Sequence, residues 1–289
     1  MCLRKEGSIM HKPFCWAIPL ATLLLGASRV LLLPVVAGDG RMLTHASYPL
    51  LFLMVAVTVV LLFYGRAREE YTALSSGQRS LFLLGALFGG VLMLASLWDV
   101  VRFALYGITP PPVSLLVNSI ERFLFFISAL AGLLGGLFVC LRFGSLLVHT
   151  DYSLGYGRLP FSEGWLWLLL PLWGAARLAR YNMVYASLVD ISPALYELLL
   201  YGVMTLFLYE AARFFSNVDA PSRYFRGLAA ATAALCLAAS LSRGVLFLLG
   251  EQVAVAYCAI PSVIEAALGA FATVLAITMK EQTGRHYKS

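Results

Sequence analysis

The chain has 289 residues, of which 61% are hydrophobic and only 12% charged. Water-soluble domains carry about 25% charged residues, so a soluble globular class is excluded. The net charge of +6 does not point to nucleic acid, because the basic residues collect at the boundaries of apolar segments rather than in one patch.

Eight apolar runs follow in order. The first, at 15–36, contains Pro19 and Arg29, and the second, at 48–64, opens on Pro49. The third, at 80–106, carries Ser96, Asp99 and Arg102, and a stiff Thr109-Pro110-Pro111-Pro112 turn leads to the fourth, at 113–141, with Asn118, Glu121 and Arg122. The fifth, at 164–184, holds Pro171, Arg177 and Arg180, and the sixth, at 193–212, holds Glu197. The seventh, at 227–249, carries Ser240 and Arg243, and the eighth, at 257–279, carries Pro261 and Glu265.

Most runs are near the roughly 20 residues that span a bilayer, and in lipid a helix satisfies its own backbone. The expected fold class is therefore all-α, a polytopic integral membrane protein with eight transmembrane helices. The first run starts on basic residues, as a signal peptide does. It is longer than a signal core and no small-residue cleavage site follows, so it is kept as a helix.

Fourteen basic residues lie in the tails and every second connection, among them Arg4, Arg66, Arg142, Arg213 and Lys280, whereas the alternate connections hold only Arg41. The positive-inside rule then places both termini in the cytoplasm, with the chain in the cell membrane. Trp16, Trp165 and Trp167 near one boundary and Trp98 near the other read as interfacial belts. The helix ends Tyr64-Gly65-Arg66-Ala67-Arg68 and Tyr209-Glu210-Ala211-Ala212-Arg213 read as contacts with anionic lipid headgroups, the alternative being a docking site for a protein partner.

The second half repeats the first at an offset of 144. Pro49 meets Pro193, Arg79 meets Arg223, Ala95-Ser96-Leu97 meets Ala239-Ser240-Leu241, and Ile120-Glu121 meets Ile264-Glu265. From Arg79 to Leu124, 12 of 46 positions are identical. The first helices align after a four-residue shift, Gly26-Ala27-Ser28-Arg29 beside Gly174-Ala175-Ala176-Arg177. The domains expected are two four-helix membrane repeats, 1–150 and 151–289, which an even helix count makes parallel.

All the buried-segment charges fall in the same half of the membrane. Ionisable groups at depth are costly and usually face a bundle interior or watery cavity. The expectation is an outward-facing polar chamber, with Arg177, Arg243, Glu265, Glu197, Arg29, Asp99 and Glu121 as candidate substrate-binding residues. Six arginines against four acids give it a positive excess, which suits an anionic or zwitterionic solute. Arg243 with Glu265, or Arg177 with Glu197, are the ion pairs that a purely structural role would require.

Catalysis is not expected. There is no metalloprotease, nucleophile-elbow or phosphate-loop motif, and no aspartyl partner for Asp99. His11, His45, His149 and His286 lie in tails or connections, so neither haem nor another cofactor or metal is implied. Cys2, Cys15, Cys140, Cys236 and Cys258 form no C-x-x-C pair. Two classes remain: a transporter or permease for a small solute, or a non-transporting sensor, assembly factor or membrane subunit. Membrane lipid is the one partner implied, and a protein partner or homo-oligomer is left open.

Overall fold

The computed structural model describes residues 12–32, 35–36, 42–43, 48–65, 71–74, 78–106, 115–148, 161–185, 191–216, 222–249, 252–253 and 261–281. Each apolar run holds a helix: α1 (Lys12–Leu32), α2 (Tyr48–Tyr64), α3 (Gln78–Tyr106), α4 (Leu115–Val148), α5 (Leu169–Tyr185), α6 (Ile191–Ser216), α7 (Phe225–Leu248) and α8 (Pro261–Thr278). The α4 helix runs seven residues past its expected end, into the polar stretch after Leu141. Phe161–Leu168 winds as a 3-10 helix directly into α5. Pro171, just after the junction, has no N–H for the helical ladder there.

The chain is thus helical, with two additions that hydrophobic periodicity does not reveal. Short strands β1 (Val35–Val36), β2 (Met42–Leu43) and β4 (Gln252–Val253) form one antiparallel ladder. At the other end β3 (Tyr71–Leu74) pairs with β5 (Met279–Glu281). These are tethers between connections, too short to form a layer.

Among the described residues, four helices are long and apolar enough to cross a membrane: Arg79–Leu105, Ser119–Leu147, Leu195–Ser216 and Phe225–Leu248. Trp16–Val30, Phe52–Tyr64 and Val263–Thr278 are shorter apolar helices. Leu20, Phe52, Leu130, Phe247 and Leu248 lie on the outer surface, each more than 60% exposed. An apolar exterior on this scale suits lipid rather than water.

Helices α3 to α8 close into a ring, each packed on the next and α8 back on α3, while α1 and α2 lean on α7 from outside. Small residues set the tightest seam. A Cβ on Gly89 would lie 2.5 Å from the Cys140 backbone nitrogen, and one on Gly136 would lie 2.6 Å from the Met93 nitrogen. Gly85 meets Phe143 and Gly132 meets Ser96 on the same seam, so α3 and α4 run antiparallel in backbone contact. Small faces of this kind let helices approach where lipid offers no hydrophobic drive.

The two ends of the ring differ. One is filled by rings from α3, α4, α6, α7, α8 and the 3-10 segment. Phe143 packs against Phe82, Trp167, Phe215 and Phe271, Phe271 also against Phe88 and Phe207, and Trp167 stacks on Phe215. Trp167 is therefore a core residue and not part of an interfacial belt: it is 2% exposed, whereas Trp16 and Trp165 are outside. Pro261 begins α8, a position where its missing N–H costs nothing. Pro19 is carried inside α1, which continues through it.

Candidate functional site

The opposite end of the bundle gathers the charges, and the helix dipole bears directly on one of them, Arg29. At this end α1, α5 and α7 terminate, and Arg29, Arg177, Arg180 and Arg243 sit in their later turns. Helices α4, α6 and α8 begin there, and Glu121, Glu197 and Glu265 sit in their first two turns. Cations near helix C-termini and anions near N-termini are the arrangement the backbone dipole favours. The effect is strongest for Arg29, in the last turn of α1. Asp99, in the later turns of α3, is the exception.

The charges divide into two paired sets. In the first, the Arg177 guanidinium donates to Asp99 Oδ2 at 2.6 Å and stands over the Trp173 ring. Arg180 Nε lies 3.6 Å from Glu121 Oε1 and over Phe125. In the second, Arg243 bridges two carboxylates, Nη2 to Glu197 Oε1 at 2.8 Å and Nη1 to Glu265 Oε2 at 3.0 Å. Arg29 donates to the same Glu197 oxygen and lies 3.8 Å above the Tyr196 ring. Tyr196 is fixed by its hydroxyl, which donates to the Leu235 carbonyl at 2.8 Å.

All seven candidate residues thus converge, drawn from α1, α3, α4, α5, α6, α7 and α8. Three expectations change. The Arg243–Glu265 pair is present, but Arg177 is matched with Asp99, and Glu197 is held by Arg29 and Arg243. The positive excess is not carried into the cluster: four arginines face four acids, while Arg122 is exposed and Arg102 half-buried. The cluster is also largely buried where an open chamber was expected, with Arg29, Glu121 and Glu265 each at most 2% exposed, although the Asp99 and Arg180 side chains keep 24% and 19% exposure.

Some hydrogen-bonding capacity is left over. Glu197 Oε2, Glu265 Oε1 and Arg29 Nε are buried with no hydrogen-bond partner, as are Ser96 Oγ and Trp173 Nε1 beside Gly132. Most buried polar groups are satisfied, and other helical hydroxyls here donate to their own helix, as Thr22, Thr58 and Ser128 do.

Sequence reasoning missed Tyr196 and Trp173, the aromatic faces under two of the arginines. Tyr196 adjoins Glu197 in sequence, and Trp173 lies four residues before Arg177 on one helix face, but an apolar run gives aromatic rings no distinguishing signal. At the far end, Glu210 is turned inward rather than toward headgroups. It is buried, accepts from Arg213 at 3.2 Å and from the Ser222 backbone N–H at 2.7 Å, and so ties α6 to the start of α7. Arg226 is likewise turned inward, donating to the Ala276 carbonyl at 2.9 Å.

Among the described residues no group of three His, Cys, Asp or Glu side chains is placed to hold a metal ion. Comparisons with protein-family models, curated proteins and solved structures find no match, so the site is interpreted from its own residues.

Proposed function

We propose that this chain is an eight-span membrane permease that binds a small solute of zero net charge, zwitterionic above all, within the charged end of its helix ring. The observation that carries the reading is the charge-balanced cluster of four arginines and four acids. Buried ion pairs stabilise a fold no better than apolar residues of the same volume, so packing alone gives little reason to keep eight charged residues together. A net anion or cation would leave the cluster unbalanced, whereas a zwitterion would not. In this reading the charged end faces outward, both termini are cytoplasmic and the chain lies in the cell membrane, as the basic connections favour. The aromatic plug then closes the cytoplasmic side, and transport requires the ring to open at alternate ends. The two halves are treated as duplicated units that rock against each other.

The pairing of every acid with an arginine favours a second reading, in which the cluster is internal glue of a non-transporting sensor, assembly factor or membrane subunit. Thermal unfolding of the detergent-purified protein separates the two. A ligand that binds only the native state raises apparent stability, by about 2.7 kcal/mol at a hundred times its Kd. The permease reading expects a shift with zwitterions that Arg177→Ala and Glu265→Ala abolish, followed by uptake into proteoliposomes. No shift with any zwitterion, anion or cation, together with strong destabilisation by both substitutions, selects the second reading.

A further inference from the structure

The second ion set has a definite chemical deficit. Glu197 Oε1 takes both Arg29 and Arg243, leaving Oε2 bare, and Arg243's other arm takes Glu265 Oε2, leaving Oε1 bare. Both side chains are more than nine-tenths buried. A carboxylate oxygen only accepts, so whatever completes this pair must bring N–H or O–H groups. Two carboxylates already neutralised by two guanidinium groups, Arg29 and Arg243, are poor metal ligands, because a hard cation needs six or more oxygens and is repelled by the arginines.

On the same connected chain of contacts, Arg29 Nε is a buried donor with no acceptor. The set Arg29, Glu197, Arg243 and Glu265 has no net charge. A simple amine would add an uncompensated positive charge to it, at a cost of several kcal/mol per ion in a buried site. A molecule carrying an ammonium and a carboxylate together adds none. Tyr196 does not compete, since its hydroxyl is committed to Leu235.

We infer that the bare oxygens of Glu197 and Glu265 form a receptor for the primary ammonium of a small amino-acid-like zwitterion, whose carboxylate is taken at the Arg29 end. The inference rests on the solute-binding reading and narrows it to one ligand class. Recognition is by N–H donation, so replacing those hydrogens with methyl groups removes it even though the positive charge stays.

The test compares, on the intact protein in detergent, glycine, alanine and leucine with trimethylglycine, propionate and propylamine, by thermal shift and by isothermal titration. Binding of at least one free amino acid is expected, weakened at least about tenfold for trimethylglycine and at least about tenfold by Glu265→Gln, the loss of a charged hydrogen bond. Glu197→Gln is the second variant should Glu265→Gln fail to fold, and the methylated probe on the unmodified protein requires neither. Equal binding of trimethylglycine and glycine overturns the ammonium receptor. Binding of propionate alone also overturns it while leaving solute binding intact. Stability that follows pH but no probe overturns it in favour of a proton site, and no response to any probe or pH overturns both readings.

Discussion

Arg243 is the residue whose removal is most diagnostic, because it joins two carboxylates in the cluster. Its guanidinium lies 2.8 Å from Glu197 and 3.0 Å from Glu265, with side-chain exposures of 13%, 9% and 3% for the three. Glu197 keeps Arg29 when Arg243 is lost, but Glu265 loses its contacting cation and the set goes from neutral to a net charge of −1. Breaking a buried pair from one side costs about 3–5 kcal/mol, much of it the stranded charge. Arg243→Met keeps an unbranched, shorter apolar stem and removes the guanidinium, so most of the cost is the stranded Glu265 charge. At about 2–4 °C per kcal/mol for chains of 150–250 residues, the loss is on the order of 6–20 °C in Tm. Adding Glu265→Gln to Arg243→Met restores neutrality and should recover about half of that loss, a coupling measured by the double-mutant cycle. A single-variant cost below about 1 kcal/mol, the range of exposed pairs, would refute the argument. So would a double variant no more stable than Arg243→Met.

Two further outcomes test the frame around the site. Gly136→Ala places a methyl group 2.6–2.7 Å from backbone atoms of α3, which cannot rotate aside, and should cost about 1–3 kcal/mol. Gly144→Ala, where nothing lies within 4 Å, should be neutral or stabilising by up to about 1 kcal/mol, and equal Tm values for the two would place α3 and α4 further apart. Phe143→Ala removes the ring shared by Phe82, Trp167, Phe215 and Phe271 and should cost about 3–5 kcal/mol. In proteoliposomes loaded with a solute that the ring admits, the same variant should raise passive leak, and unchanged leak would remove the aromatic end as a barrier.

The helices were legible because apolar runs between basic connections leave little choice, and the start of α2 at Tyr48 and the end of α3 at Tyr106 fall where the runs do. The convergence of the charges was legible for a related reason: once direction alternates, common depth follows from residue position. Partner choice was not legible. Whether Arg177 meets Asp99 or Glu197 depends on which helices are neighbours, and the ring order places α5 between α4 and α6, a fact no local pattern carries. Trp167 and Glu210 were misplaced for the complementary reason. A residue near a boundary can face either lipid or the interior, and helix rotation decides which. The same uncertainty turned six candidate arginines into four paired ones.

The two ion sets correspond to each other under the proposed duplication more closely than the helix packing does. The first draws on α3, α4 and α5, and the second on α7, α8 and α1 with α6 added. At offset 144, α3 and α4 become α7 and α8, and the shifted match of Arg29 with Arg177 makes α1 the equivalent of α5. In each case a helix carrying an arginine docks on an antiparallel hairpin, α5 chiefly through α4 and α1 chiefly through α7. Glu121 and Glu265 occupy equivalent places. The chemistry diverges at Asp99, whose equivalent is Arg243, and at Arg180, whose equivalent is Leu32. An arginine in place of an aspartate would leave the second set with two cations and only Glu265. Glu197, whose equivalent in the first half is Leu53, supplies the missing negative charge. Each set therefore reaches neutrality by a different route, two acids and two arginines in both. The added acid is the one that leaves Glu197 Oε2 and Glu265 Oε1 on a common guanidinium with no partner. Under the proposed duplication, divergence between the halves would produce the asymmetry that the proposed ammonium-bearing ligand uses.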